Sequence, residues 1–270
     1  MAEKREYDLR MFRKIAKVLL RAWLTKILNG FTTDIGWLEI QQIRHLVKDI
    51  DGCPDSHGML LYGLAKSGPG KGAIVEIGSW KGKSTIWLAK GSKSTNREKV
   101  FAIDPHTGSV EHRKALGDHV NTGREFRRNI KRAEVEDWVV PLVMRSTEAA
   151  VNWREPVRLL WIDGSHEYED VKSDFVLWER HLVDDGIIAL HDSFGFAGPR
   201  RVIKELLLTS DAFSNIGFVG GLVFAKKTKK LTGTDRLSNF AASIGILTVD
   251  FVVEHTPSKI TGIVSQSMFY

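Results

Sequence analysis

The chain has 270 residues, 43% of them hydrophobic, which suits one α/β domain with appendages and a sizeable core. Its lone cysteine, Cys53, excludes an intrachain disulfide framework or a multi-cysteine zinc site, reads as a plain loop thiol, and fits a reducing, cytoplasmic setting. The net charge of +6 comes from 39 basic and 33 acidic residues, with basic clusters scattered at 4–26, 124–132 and 226–230; this suits solvated helix faces and argues against a nucleic-acid partner.

No apolar run approaches the ~18–20 residues of a bilayer span, and the charged N-terminus lacks a signal-peptide layout. Residues 8–28 have helical periodicity: Phe12, Ile15, Leu19, Trp23 and Ile27 recur at steps of three and four, with basic residues opposite. Such a stripe suits packing against the domain or a second subunit in a homo-oligomer, or peripheral contact with an anionic membrane surface. Asn29-Gly30 reads as a helix stop. Gly36–Val47 predicts a second helix, Asp51–Gly58 a loop, Met59–Ala65 a short helix and Ser67–Gly72 a turn.

Ala73-Ile-Val-Glu-Ile-Gly-Ser-Trp-Lys-Gly-Lys-Ser-Thr85 then gives a buried strand, a glycine turn and a helix N-terminus. That combination cradles a ligand with polar or anionic parts. Further strands are predicted at Val100–Pro105, Val139–Met144, Val157–Asp163 and Gly186–Asp192. Helices are predicted at Arg124–Arg132, Tyr168–His181 and Pro199–Leu208, and a strand pair at Asn215–Val219 and Leu222–Ala225. Residues 106–123 read as a loop whose histidines at 106, 112 and 119 are solvated, with a place in the lining of a substrate pocket as the alternative. In the tail, Ile244–Val253 is apolar and β-branched, suggesting an extra strand, an oligomer contact or a loose extension. The alternation implies a doubly wound, mostly parallel seven-stranded α/β sheet of Rossmann-like form, with an N-terminal helical appendage. The expected divisions are 1–58, 59–226 and 227–270. Ligands of such sheets sit at the strands' carboxyl ends, where Glu76, Gly78, Asp104, Ser146, Asp163 and His191-Asp192 follow apolar runs.

Three ligand classes compete for the glycine turn. Trp80 breaks the dinucleotide pattern G-x-G-x-x-G, and Gly78-Ser-Trp-Lys-Gly82-Lys83-Ser84 is one residue short of a P-loop, which leaves a nucleotide-binding alternative. Glu76-Ile-Gly78-Ser-Trp-Lys-Gly82-Lys-Ser84 resembles motif I of class I S-adenosylmethionine-dependent methyltransferases. Together with Ile162-Asp-Gly-Ser-His-Glu-Tyr168 and His191-Asp192, it resembles the methyltransferase 24 type over about 36–226. The resemblance implies that Glu76, Gly78, Ser79, Gly82, Ser84 and Asp163 contact S-adenosylmethionine. It also implies that Asp104 takes the ribose hydroxyls, which a carboxylate can accept in pairs, and that Ser146 and Thr147 flank the adenine.

Asp163, His166, His191 and Asp192 fall at two neighbouring strand ends. Their oxygen and imidazole donors suit Mg²⁺ or another divalent metal. The set is similar to that of metal-dependent O-methyltransferases acting on macrolide sugars and catechols. That likeness implies Asp163, His191 and Asp192 as ligands, with His191 standing where Asp or Glu is usual. It implies His166 as general base and O-methylation of a small polar or sugar-bearing acceptor; a methyltransferase without metal, using His166 or Asp163 directly, is an alternative. A non-catalytic cofactor-binding scaffold is the remaining alternative.

Overall fold

The computed structural model describes residues 36–255. The helix expected at 8–28 and the end of the C-terminal extension lie outside the described residues. The strands are β1 (Ala73–Ile77), β2 (Val100–Ile103), β3 (Val139–Leu142), β4 (Val157–Ile162), β5 (Leu182–Leu190), β6 (Phe213–Val219) and β7 (Leu222–Lys227). They form one seven-stranded sheet in the order β3-β2-β1-β4-β5-β7-β6. β1 pairs in parallel with both β2 and β4, whereas β7 runs antiparallel to β5 and β6.

The strand period of two sorts the core. Ile74 joins the layer formed with α1 (Trp37–Val47), α2 (Asp55–Ser67), α3 (Lys83–Ser94) and α5 (Gly123–Arg132). Ala73, Val75 and Ile77 join the opposite layer, with α6 (Ser146–Asn152), α7 (Tyr168–Glu179), α8 (Ala197–Val202) and α9 (Gly233–His255). A short helix, α4 (Val110–Leu116), lies beyond β2, and Ile203–Leu207 prolongs α8 as a π-turn. β1 lies where the chain order reverses, so the loops after β1, β2 and β4 open a crevice between them.

Several expectations are corrected. Asp55–Gly58 is the first turn of α2 rather than loop, and the expected boundary at 58 falls inside that helix. Residues 36–58 are not peripheral: Ile40, Ile43, Val47 and Ile50 sit in the same core layer as Ile74. Cys53 does lie in the loop before α2, where it is buried, and burial pushes its thiol well above the usual range. The loop expected over 106–123 contains α4, which is capped by Ser109 accepting from the His112 amide at 3.3 Å. Arg145-Ser-Thr147 opens α6, and Ile244–Val253 belongs to a 23-residue helix. Its β-branched residues suggest a strand, but its inward residues keep a helical step: Ala242 and Ile246 are buried, and Val249 and Val253 pack on the same layer. Asp250, 3% exposed, fastens α9 to α8 through Arg200 at 3.1 Å and through Lys204.

Candidate active site

The loop after β1 is shaped by a close backbone approach. Gly78 has φ +88°, and a Cβ there would lie 2.1 Å from the Asp163 carbonyl oxygen. The two loops are already joined, since Asp163 N donates to Ile77 O at 2.8 Å. Only glycine fits this position. Trp80, next in the loop, also takes a positive φ, +46°.

Asp104 ties this loop to the end of β2. One carboxylate oxygen accepts from Trp80 N at 2.7 Å and the other from His106 N at 2.6 Å. Each oxygen keeps a further acceptor site, so the group can still receive two hydroxyls. The Trp80 ring stacks on His112 of α4, with centroids 3.8 Å apart and planes 12° from parallel. Its Nε1 donates to Asp51 at 3.1 Å.

A cavity of about 220 Å³ lies below this stack. Of the residues expected to hold a cofactor, Gly78, Asp104, Ser146, Thr147 and Asp163 are on its wall. Ser79 and Ser84 are buried behind it, and Gly82 serves as the left-handed N-cap of α3. Glu76 is also behind the wall and fully buried. Thr85 donates to one of its oxygens, while the other has no partner. Burial pushes its carboxyl up to about 8, against hydrogen bonds from Ser84 and Thr85 that favour the charge. Lys83, needed by the nucleotide alternative, leans 4.0 Å from Asp55 and is not on the wall.

His112, one of the three loop histidines, is on the wall, and its neighbour His106 is buried with Nδ1 3.0 Å from Thr122 Oγ1; of the three only His119 is exposed. Other wall residues escape sequence reading. Asp170 and Asp174 reach the cavity from one face of α7. Ser146 donates to Asp174, whose carboxyl burial pushes up to about 7. The four-residue step between these two acids was the available signal.

Asp163 also belongs to a second cluster. His191 Nδ1 lies 3.0 Å from both Asp163 Oδ1 and Asp192 Oδ2, and His166 Nε2 lies 2.9 Å from Asp192 Oδ2. The expected set is thus assembled, at the ends of β4 and β5. Burial opposes charge on His191, yet the flanking carboxylates lift its imidazole to about 10. Burial likewise opposes charge on Asp192, but the His166 and His191 imidazoles beside it hold its carboxyl well below the usual range. His166 stacks on Phe196 at 3.8 Å, with its Nδ1 3.5 Å from Glu111 of α4.

One ligand atom from each of Asp163, His191 and Asp192 lies within 4.8 Å of the others. His191 Nδ1 is buried without an aligned hydrogen bond although two carboxylates flank it. Three donors converging in this way, with one orphaned, fit a divalent cation.

Among the described residues no helix is long and apolar enough to cross a membrane. Residues 75–193 match the family model Methyltransf_24, described as a methyltransferase domain. The fold is similar to that of the O-methyltransferase NovP, at 16% identity and a TM-score of 0.54, over 72% of this chain and 81% of that one. It is also similar to the O-methyltransferase TomG from Streptomyces achromogenes, solved with SAM, at 16% identity and TM-score 0.51, over 77% and 98% of the two chains. Cofactor-bound Rv0187 from MTB matches at 17% identity and TM-score 0.52, over 75% and 94%. Residues 75–193, from the strand that opens the crevice to the turn after His191-Asp192, are therefore the stretch that is similar to a methyltransferase domain.

Proposed function

We propose that the protein transfers a methyl group from S-adenosylmethionine to a hydroxyl of a small polar or sugar-bearing acceptor, with a divalent cation held by Asp163, His191 and Asp192. The observation that carries this reading is that Asp163 lines the cavity and also reaches His191, so cofactor wall and cation cluster share a residue. The O-methyltransferase descriptions of NovP and TomG point the same way.

When bound, S-adenosylmethionine supplies an electrophilic sulfonium methyl, and a divalent cation supplies charge that lowers the pKa of an acceptor hydroxyl. The chain's own task is then mainly orientation. Asp104 accepts from the ribose hydroxyls, Gly78 lets the backbone approach, and Ser146 and Thr147 border the adenine end. His166 takes the acceptor's proton. Its Nε2 faces Asp192, which fixes the ring and favours protonation, and leaves Nδ1 as the accepting nitrogen.

Calorimetric titration tests the cofactor: binding of S-adenosylmethionine is expected, and binding of ATP instead would restore the nucleotide alternative. Turnover with EDTA should fall at least tenfold and recover with Mg²⁺ or Mn²⁺, in line with what removal of a charge-stabilising group costs. Unchanged turnover would remove the cation from the reading, and binding without turnover of any acceptor would leave the scaffold.

The same reading takes the protein as cytoplasmic and as a homo-oligomer joined through α9. Leu237, Phe240, Ile244, Leu247 and Phe251 alternate in steps of three and four, and all are exposed. The only charge between Leu237 and Phe251, Asp250, is buried on the opposite side. A membrane-surface helix would need basic residues beside its apolar stripe. A neutral seam of this spacing instead fits a second copy of itself about a two-fold axis. Membrane contact is assigned to the basic stripe of residues 8–28, and co-sedimentation of the full chain with anionic against neutral vesicles tests it.

A further inference from the structure

His57 lies in the first turn of α2 and is 4% exposed. Its Nδ1 is 3.0 Å from His191 Nε2, with the rings nearly perpendicular at 79°. Its Nε2 abuts the turn between β6 and β7, where a Cβ on Gly220 would lie 2.7 Å away. There the Val219 backbone favours a proton on the imidazole, as a carbonyl facing the ring does.

These contacts determine where the protons sit. A carbonyl can only accept, so His57 Nε2 carries the hydrogen. A neutral imidazole has one donor and one acceptor nitrogen. His57 Nδ1 is therefore the acceptor, and His191 must donate to it from Nε2. The His191 nitrogen left over is Nδ1, which faces Asp163 and Asp192. A ring this buried, with a second imidazole against it, favours the neutral form.

We propose that His57 is a positioning residue which fixes the tautomer and orientation of His191, through the relay Val219 carbonyl, His57, His191, so that Nδ1 is the nitrogen offered to a divalent cation. The inference rests on the cation reading above and extends it to a residue two layers from the acceptor. Partners that orient a ligating histidine typically change metal affinity by about 10- to 100-fold when removed.

The test uses the full chain and Mn²⁺, with free ion followed by electron paramagnetic resonance. His57→Phe keeps a planar ring but removes the acceptor, and should weaken Mn²⁺ binding by about 10- to 100-fold. His57→Asn returns an oxygen acceptor near the position of Nδ1 and should recover most of that affinity. S-adenosylmethionine affinity, measured in parallel, should stay at the wild-type value in both. Equal Mn²⁺ affinity in wild type and His57→Phe would overturn the proposal, as would a His57→Asn variant as weak as His57→Phe. A second arm needs neither a variant nor a metal: in ¹⁵N-histidine-labelled wild type, His57 should be protonated at Nε2 and bare at Nδ1. The opposite tautomer would overturn the relay. Wild type that binds no Mn²⁺ but shows the expected tautomer would sink the cation reading and leave His57 as the residue that orients His191.

Discussion

Asp104 accepts backbone hydrogen bonds on both oxygens and still faces the cavity, so it shapes the loop after β1 and is also the group proposed to take the ribose hydroxyls. Asp104→Asn would present an amide hydrogen to one of those backbone donors. A buried donor left without an acceptor costs about 1–3 kcal/mol, so S-adenosylmethionine affinity should fall roughly 10- to 100-fold by calorimetry; unchanged affinity would sink this role. Glu76 calls for a pH experiment. Its carboxyl is raised from an ordinary 4.5 to about 8 in the folded chain, chiefly by burial. Between those values the folded state holds a proton that the unfolded state has lost. Stability is therefore highest in acid, falls as pH rises from about 4.5 to about 8, and levels off above. The total is on the order of a few kcal/mol. Glu76→Gln should flatten the decline of urea midpoint between pH 5 and 8. Asp174, raised to about 7, adds a slope of the same sign, so the wild-type minus variant difference is what is read. Parallel profiles would exclude Glu76 as the cause. At this scale the sequence was most informative where a polar residue ends an apolar strand, as at Gly78, Asp104 and Asp163. His57 and Asp174 were not legible, because each sits on a helix whose face becomes part of the site only on packing.

Elements were legible where period and punctuation agreed. Four of the five parallel strands were visible as apolar runs ended by Gly, Asp or His, and β3 as an apolar run ended by Arg145. The short α4 was hidden in a His- and Gly-rich stretch because its stability comes from the Ser109 cap and the His112–Trp80 stack rather than from an apolar stripe; none of its residues is buried. α9 misled in the opposite way, since β-branched residues were weighed above spacing. The oligomer contact proposed for that stretch would use the outer side of the same helix. One side, with Ala242 and Ile246, is spent on the sheet, and the other keeps a neutral seam with Phe240 66% and Leu237 73% exposed. Replacing Phe240 and Leu247 together by Asp puts two charges into that seam without touching the sheet side. Light scattering behind size exclusion should show wild type as a dimer and the variant as a monomer with its melting temperature largely kept, because exposed positions tolerate charge. A monomeric wild type would remove α9 as an interface.

For the whole molecule, the sheet order places the cavity where three separately ordered segments meet: the loop after β1, the Asp104 turn after β2 and the Asp163 turn after β4. They come from both sides of the point where the strand order reverses. Their backbones are already cross-linked, β1 to β4 through Ile77 and Asp163 and β1 to β2 through Trp80 and Asp104. A ligand that bridges all three adds contacts that exist only in the folded chain. Its stabilisation should therefore appear as a shift of the whole unfolding transition rather than of one segment. At a concentration 100 times its dissociation constant such a ligand contributes about 2.7 kcal/mol. For a domain of this size that corresponds to a rise of about 5–10 °C in melting temperature. S-adenosylmethionine should produce that rise and ATP none, since Lys83 is turned toward Asp55 and away from the cavity. Asp104→Asn should reduce the rise at the same ligand concentration. A shift with ATP equal to that with S-adenosylmethionine would mean that the glycine turn, and not the three strand ends together, determines what binds.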